Sequence, residues 1–292
     1  MKTNRTVQVG LIQRSDQGAP GPNLDQTCEK IEEAASRGAQ IICLQELFQS
    51  NYFCQTEDPA HFDLAQTIPG PATDTLAELA ARLEVVLIIP LFEKRSPGLY
   101  HNTAVVVDAD GTLLGRYRKM HIPDDPCFYE KFYFTPGDTG FRSFQTRYAR
   151  IGVLICWDQW FPEAARLTAL SGAEILFYPT AIGFQEADRG VMEKQASAWQ
   201  TIQRSHAIAN GVFLGAVNRV GVEDNITFWG RSFISDPFGE VLAQASDTDP
   251  EILVTSCDLA AIEDTRQGWP FFRDRRVDAY QGLNQIFLDP HD

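Results

Sequence analysis

The strongest constraint on this chain is a recurrence: short apolar runs suited to buried strands return along its whole length, and none is long. They are Thr6–Ile12, Ile41–Leu44, Val85–Leu91, Thr103–Val107, Ile151–Cys156, Ile175–Tyr178, Val212–Val217, Phe233–Ser235 and Ile252–Cys257. Val85–Leu91 is among the longest, far below the ~20 apolar residues that span a bilayer, so no transmembrane helix is expected. Helical patterns fill several gaps. The spacing predicts a first helix from Asn23, with Gln26 completing a capping box, Leu24, Cys28, Ile31 and Ala35 on one face, and a stop at Gly38. A second, Thr73–Leu83, would bury Leu76, Leu79 and Leu83; a third begins with Pro162 and ends before Gly172. The longest, near Val191–Asn210, aligns Met192, Ala196, Trp199, Ile202 and His206, which makes His206 a core residue rather than a ligand.

Thr103–Val107 and Leu113–Tyr117, joined across Asp110-Gly111, read as a hairpin, so the sheet is mixed and the class is α/β. So many apolar strands with about four good helices suggest two sheets packed face to face, with helices on the outer faces. No linker, repeat or charge block divides the chain, and residues 1–292 read as a single domain. The C-terminal segment, about 260–292, reads as an extension positioned to contact another subunit.

Charge and cysteine usage narrow the partners. Twenty-five basic residues against 39 acidic ones leave a formal charge of −14, which repels nucleic acid and favours a cationic small molecule. Six cysteines without a C-x-x-C pair argue against a disulfide scaffold or zinc ribbon and for a reducing, cytoplasmic compartment. The basic start, Met1–Arg5, lacks an uninterrupted apolar stretch and a cleavage site, so secretion is disfavoured. His61, His101, His121 and His291 show no metal-ligand spacing, and no cofactor motif occurs.

Three segments could carry chemistry. Ile151–Glu163 reads as a buried strand ending in Cys156, then a turn, then a helix begun by Pro162. At such an elbow the thiol projects from the sheet edge, backbone N–H groups can face an oxyanion, and the helix N-terminus would favour the thiolate. A plain core cysteine is the alternative. Glu46 follows the apolar run Ile41–Leu44, where desolvation would raise its pKa and suit it to general-base work; otherwise it is a solvent-facing strand end. Lys119 sits just past a strand end in Gly115–Pro123, which could equally be an exposed basic cluster.

Glu46, Lys119 and Cys156 each close a β segment and are far apart in sequence, as in sites assembled at one sheet edge. With these three blocks in order, the chain resembles the nitrilase superfamily of carbon–nitrogen hydrolases from Val7 to Phe271-Phe272-Arg273. The resemblance implies an αββα sandwich, a Glu46-Lys119-Cys156 triad and a homo-oligomer. It also implies a supporting role for Glu130 and an oxyanion contact from the Trp157 backbone N–H. Within the superfamily, the surroundings of Cys156, Asp158 and the Asp124–Asp138 loop look most like the amidases acting on N-carbamoylputrescine, and Asp158 argues against nitriles. Such a substrate carries a cationic tail, for which Glu186 is the first candidate partner and Asp125 the second; Tyr52 would line the same pocket.

Rival readings remain distinct. A β-ureidopropionase-like or carbamoyl-amino-acid hydrolase would use the same triad with a cationic contact such as Arg189 or Arg204. A Ser-His-Asp hydrolase lacks its G-x-S-x-G elbow, and a non-enzymatic binding module would leave Cys156 inert to alkylation. Arg273-Asp274-Arg275-Arg276 reads as salt-bridged surface or subunit contact.

Overall fold

The computed structural model describes residues 5–289, so His291 lies outside the described residues. The first sheet contains β1 (Thr6–Gln13), β2 (Ile41–Leu44), β3 (Val86–Ser96), β4 (Leu99–Val107), β5 (Leu113–Arg118) and β15 (Glu251–Asp258), in the order β15-β1-β2-β3-β4-β5. The second contains β6 (Ser143–Gln145), β7 (Arg150–Val153), β8 (Ile175–Pro179), β10 (Phe213–Val217), β13 (Phe233–Ser235) and β14 (Val241–Gln244), in the order β14-β13-β10-β8-β7-β6. Each is parallel at its centre and antiparallel at its edges. The central strands are apolar on both faces because both faces are covered. Val7, Val9, Leu11, Ile41 and Cys43 meet Ile151, Ile175, Phe177 and Leu214 between the sheets. Ile42, Leu44, Leu87 and Ile89 face outward onto the helices instead.

Those helices are α1 (Pro20–Ser36) and α2 (Pro71–Leu83) on the first sheet, and α4 (Pro162–Leu170) and α5 (Met192–Asn210) on the second. Two short helices, α3 (Glu130–Tyr133) and α6 (Ala260–Gly268), complete the set. The fold is thus the expected αββα sandwich. It also has a third, antiparallel sheet that the sequence did not suggest, formed by β9 (Gly183–Phe184), β11 (Val220–Glu223) and β12 (Ile226–Trp229). Among the described residues no helix is long and apolar enough to cross a membrane.

Two expected boundaries are corrected by local chemistry. Helix α1 begins at Pro20, and Asn23 lies inside it. Instead of capping, the Asn23 side chain accepts from the Gln17 backbone N–H and donates to Asp16, bracing the entering loop. Gln26 accepts from Arg14 rather than closing a capping box. Strand β7 ends at Val153, so Leu154 and Ile155 carry the chain beyond it to Cys156. Gly152 makes the approach of α4 possible there, because a Cβ would lie 2.3 Å from the Thr168 side chain. His206 is a satisfied core histidine, with Nε2 2.8 Å from the Gln159 carbonyl oxygen.

Candidate active site

The ends of β2, β5 and β7 converge on one buried polar cluster. Glu46 lies two residues past β2, Lys119 directly past β5, and Cys156 three residues past β7. Glu46 and Lys119 are fully buried, and Lys119 Nζ donates to Glu46 Oε1 at 2.8 Å and to Glu130 Oε2 at 2.6 Å. Tyr52 donates its hydroxyl to the other Glu130 oxygen at 2.7 Å, and Asn102 Nδ2 donates to Glu46 Oε1 at 2.7 Å. Glu46 Oε2 is buried without a partner among the described residues, an acceptor left open beside the thiol site.

Burial and neighbouring charges move Lys119, Glu130 and Cys156 away from their ordinary ranges. Burial alone would pull the Lys119 ammonium down, but Glu130 and Glu46 outweigh it and hold its pKa well above the ordinary lysine range. Burial pushes the Glu130 carboxyl up to about 7, with Lys119 opposing and Glu46 adding to the rise. Burial, then the Glu46 charge, pushes the Cys156 thiol well above the usual range. The sequence-based expectation of a helix-stabilised thiolate is therefore corrected: a short 3₁₀ turn, Cys156–Trp160, separates the sulfur from α4. A thiol whose pKa is raised in this way needs a base before it can act as a nucleophile.

The elbow itself is as expected. Cys156 adopts φ = 44°, the left-handed region that non-glycine residues rarely occupy. Asp158 holds it there: its carboxylate accepts from the Ile155 backbone N–H at 2.9 Å, the Tyr117 hydroxyl at 2.8 Å and the His121 backbone N–H at 3.1 Å. Cys156 and the half-buried Trp157 lie at the wall of a cavity of about 470 Å³. Its sides include the aromatic rings of Phe128, Trp160, Phe184 and Trp229.

The Carbon-nitrogen hydrolase family matches residues 8–267. This chain belongs to the carbon–nitrogen hydrolase family. The hydrolase is 47% identical over 290 residues to the N-carbamoylputrescine amidase of Solanum lycopersicum, covering 96% of this chain and 95% of the relative. It is 42% identical over 282 residues to the citrullinase of Francisella tularensis subsp. tularensis, covering 95% and 98%. The crystal structure of a carbon–nitrogen hydrolase from Helicobacter pylori G27 matches it with a TM-score of 0.94 and 48% identity, covering 97% of this chain and all of that one. The αββα architecture of this hydrolase is therefore shared with a solved relative.

Of the residues expected at the site of this carbon–nitrogen hydrolase, Glu46, Lys119, Glu130, Cys156 and Trp157 come together, and Asp125 lines the cavity. Two differ from expectation. Tyr52 is fully buried and acts behind the pocket, on Glu130, rather than lining it. Glu186 lies outside the cavity, its side chain 75% exposed and paired in two hydrogen bonds with Arg189, because Glu186–Val191 curls into an exposed 3₁₀ turn.

Asn102, Arg219 and Glu223 are further parts of this hydrolase's site that the sequence did not suggest. Arg219 is fully buried, donates to the carbonyl oxygens of Glu46, Leu47 and Ser50, and pairs with Glu223 at 2.8 Å. Glu223 in turn accepts the Tyr52 backbone N–H. One signal existed for Asn102: His101-Asn102-Thr103 puts three polar residues into an otherwise apolar strand.

Proposed function

We propose that this hydrolase cleaves N-carbamoylputrescine to putrescine, CO2 and ammonia through a thioester on Cys156. The observation that carries the substrate choice is the charge of the cavity. Its charged lining residues are Asp125, Glu130 and Asp188, and among the described residues no basic side chain lines it. A ureido substrate ending in carboxylate needs a cationic contact. Arg189 is taken by Glu186, and Arg204 donates to the Gly239 carbonyl oxygen. A substrate ending in ammonium meets carboxylates and aromatic faces instead.

The mechanism follows from the cluster. Glu46, through its open Oε2, takes the proton of the Cys156 thiol as the sulfur attacks the ureido carbonyl carbon. Lys119 has used two of its three N–H bonds on Glu46 and Glu130; the third, with the Trp157 backbone N–H, stabilises the oxyanion. The tetrahedral adduct collapses as Glu46 returns its proton to departing ammonia, leaving an S-carbamoyl thioester. Water, deprotonated by Glu46, attacks that carbonyl, releasing the thiol and a carbamate that loses CO2 to give the amine. The scheme needs neither metal nor organic cofactor.

We also infer a homo-oligomer in a reducing, cytoplasmic setting. All six cysteines are unpaired, which suits reducing conditions. Within the segment of about 260–292 read as an extension, Ile262 packs into the core, which supports a contact surface formed by the residues beyond Gly268. From there Trp269, Val277, Leu283, Ile286, Phe287 and Leu288 are all exposed, an apolar surface of the kind that another subunit covers. The sheet sandwich with α6 reads as one domain.

The test is ammonia release from N-carbamoylputrescine, citrulline and 3-ureidopropionate, with Cys156→Ala as control. Cys156-dependent turnover of the diamine derivative above both acids is the expected result; preference for either acid would overturn the charge argument.

A further inference from the structure

Resting on the reading that the substrate carries a terminal ammonium, we propose that Asp188, which lines the same cavity as Asp125, is the residue that selects for that charge. The wall from Ala181 to Asp188 runs outward from the nucleophile. The Ala181 carbonyl oxygen is 3.8 Å from the Cys156 sulfur, and Ile182, Gly183, Phe184, Gln185 and Asp188 then line the same cavity. A linear substrate acylating Cys156 with its ureido end extends its other end along this wall.

Two carboxylates on this wall could read the charge, and pairing separates them. Glu186 is neutralised by Arg189, whose guanidinium also lies over the Phe184 ring at 5.3 Å. Asp188 lines the cavity and forms no ion pair with any described residue; only its backbone N–H is engaged, by the Gln185 carbonyl oxygen. Asp125, on another loop of the lining, begins the turn closed by the Phe128 N–H. The two loops are tied together by Gln185, whose Nε2 donates to the Pro126 carbonyl oxygen at 3.0 Å and whose Oε1 accepts from Cys127 Sγ at 3.6 Å. That tie joins the loop carrying Asp125 to the segment carrying Asp188, and both carboxylates line the one cavity. The aromatic ring of Phe128 lines the same cavity and favours a cation further.

The experiment compares N-carbamoylputrescine with butylurea, which keeps the ureido group and the four-carbon chain and lacks the ammonium. Asp188→Asn is expected to raise KM for N-carbamoylputrescine by about tenfold, the lower end for a charge-assisted contact near solvent, with kcat changed less than about twofold. Kinetics on butylurea should not move, and this also reports that the variant folds. Asp125→Asn should have the same sign and a smaller size. If Asp188→Asn leaves the preference for the charged substrate intact, or damages both substrates equally, the assignment to Asp188 is wrong while the proposed function stands. A wild-type enzyme with no preference for N-carbamoylputrescine over butylurea would overturn the cationic reading and this proposal together.

Discussion

The floor and the mouth of the cavity are both rich in carboxylates, yet they obey different rules. At the floor, where Glu130 lines the cavity with Glu46 and Lys119 behind it, all three are at most 1% exposed, and charges at hydrogen-bond distance shift the protonation of Glu130 and Lys119. At the mouth Asp125, Glu186 and Asp188 are exposed, so water and salt screen each of them and pairing decides which is free to act. A floor residue cannot be changed without disturbing its partners. A mouth residue can be, and the effect should appear in substrate choice alone.

The largest expected effect tests the floor. Cys156→Ala should lower turnover on the order of 10⁴-fold or more, because no other group supplies the covalent step. Iodoacetamide labelling should separate the same residue from an inert core thiol: wild-type enzyme should be alkylated at Cys156 and protected by substrate. Activity persisting in the alanine variant would remove the triad from the mechanism. Next in size is Arg219→Met, which strips the carbonyl oxygens of Glu46, Leu47 and Ser50 of a donor and leaves Glu223 buried without its counter-charge. Breaking a buried pair in this way should cost about 3–5 kcal/mol of stability. Urea unfolding would measure it, and a loss below about 1 kcal/mol would show that the loop carrying Glu46 does not depend on this arginine.

The Glu130 carboxyl gives the floor a pH signature. With its pKa raised to about 7, it takes up a proton as pH falls through that value, and Lys119 then loses one of its two counter-charges. The kcat/KM profile of the wild type should therefore fall on the acid side with an ionisation near pH 7. In Glu130→Gln, which cannot titrate, that limb should be displaced or lost, with kcat at the optimum down by about 10–100-fold. An acid limb left in place by the substitution would assign it to another group.

How much of this was legible in the sequence divides along the same line. Glu46 and Cys156 stood out because each follows a strongly apolar run, whereas Lys119 follows the mixed strand Leu113–Arg118 and was singled out only by the family resemblance that sets the three blocks in order. The layers were visible because central strands such as Ile41–Leu44 have no polar face. Arg219 was not, because it follows β10 and precedes β11, a short strand with the mixed pattern Val220-Gly221-Val222-Glu223, and its targets are backbone carbonyls more than 160 residues away. Backbone acceptors leave no mark in sequence. Tyr52 was found but misplaced, since its nearness to Glu46 in the chain says nothing about which side of the pocket it occupies. At the mouth, Glu186 and Asp188 are indistinguishable until the 3₁₀ turn brings Arg189 onto one of them.

That last distinction yields the smallest effect and the sharpest contrast. Glu186→Gln removes a charge of the same sign as Asp188→Asn, two residues away, so a general electrostatic attraction of cations to an acidic rim would make the two variants alike. Local recognition would not. Glu186 is outside the cavity and already neutralised by Arg189, so its loss should change KM for N-carbamoylputrescine by less than about twofold, within the range of an exposed ion pair. The freed Arg189 guanidinium would remain near Phe184 and could repel the ammonium weakly, which sets the sign of any residual change as a rise in KM. Measured at low and at physiological salt, a change in KM that grows as salt is lowered and matches that of Asp188→Asn would mean that the rim acts as a diffuse field. A flat response to Glu186→Gln beside a marked one to Asp188→Asn would mean that specificity is read by a single carboxylate in contact with the substrate.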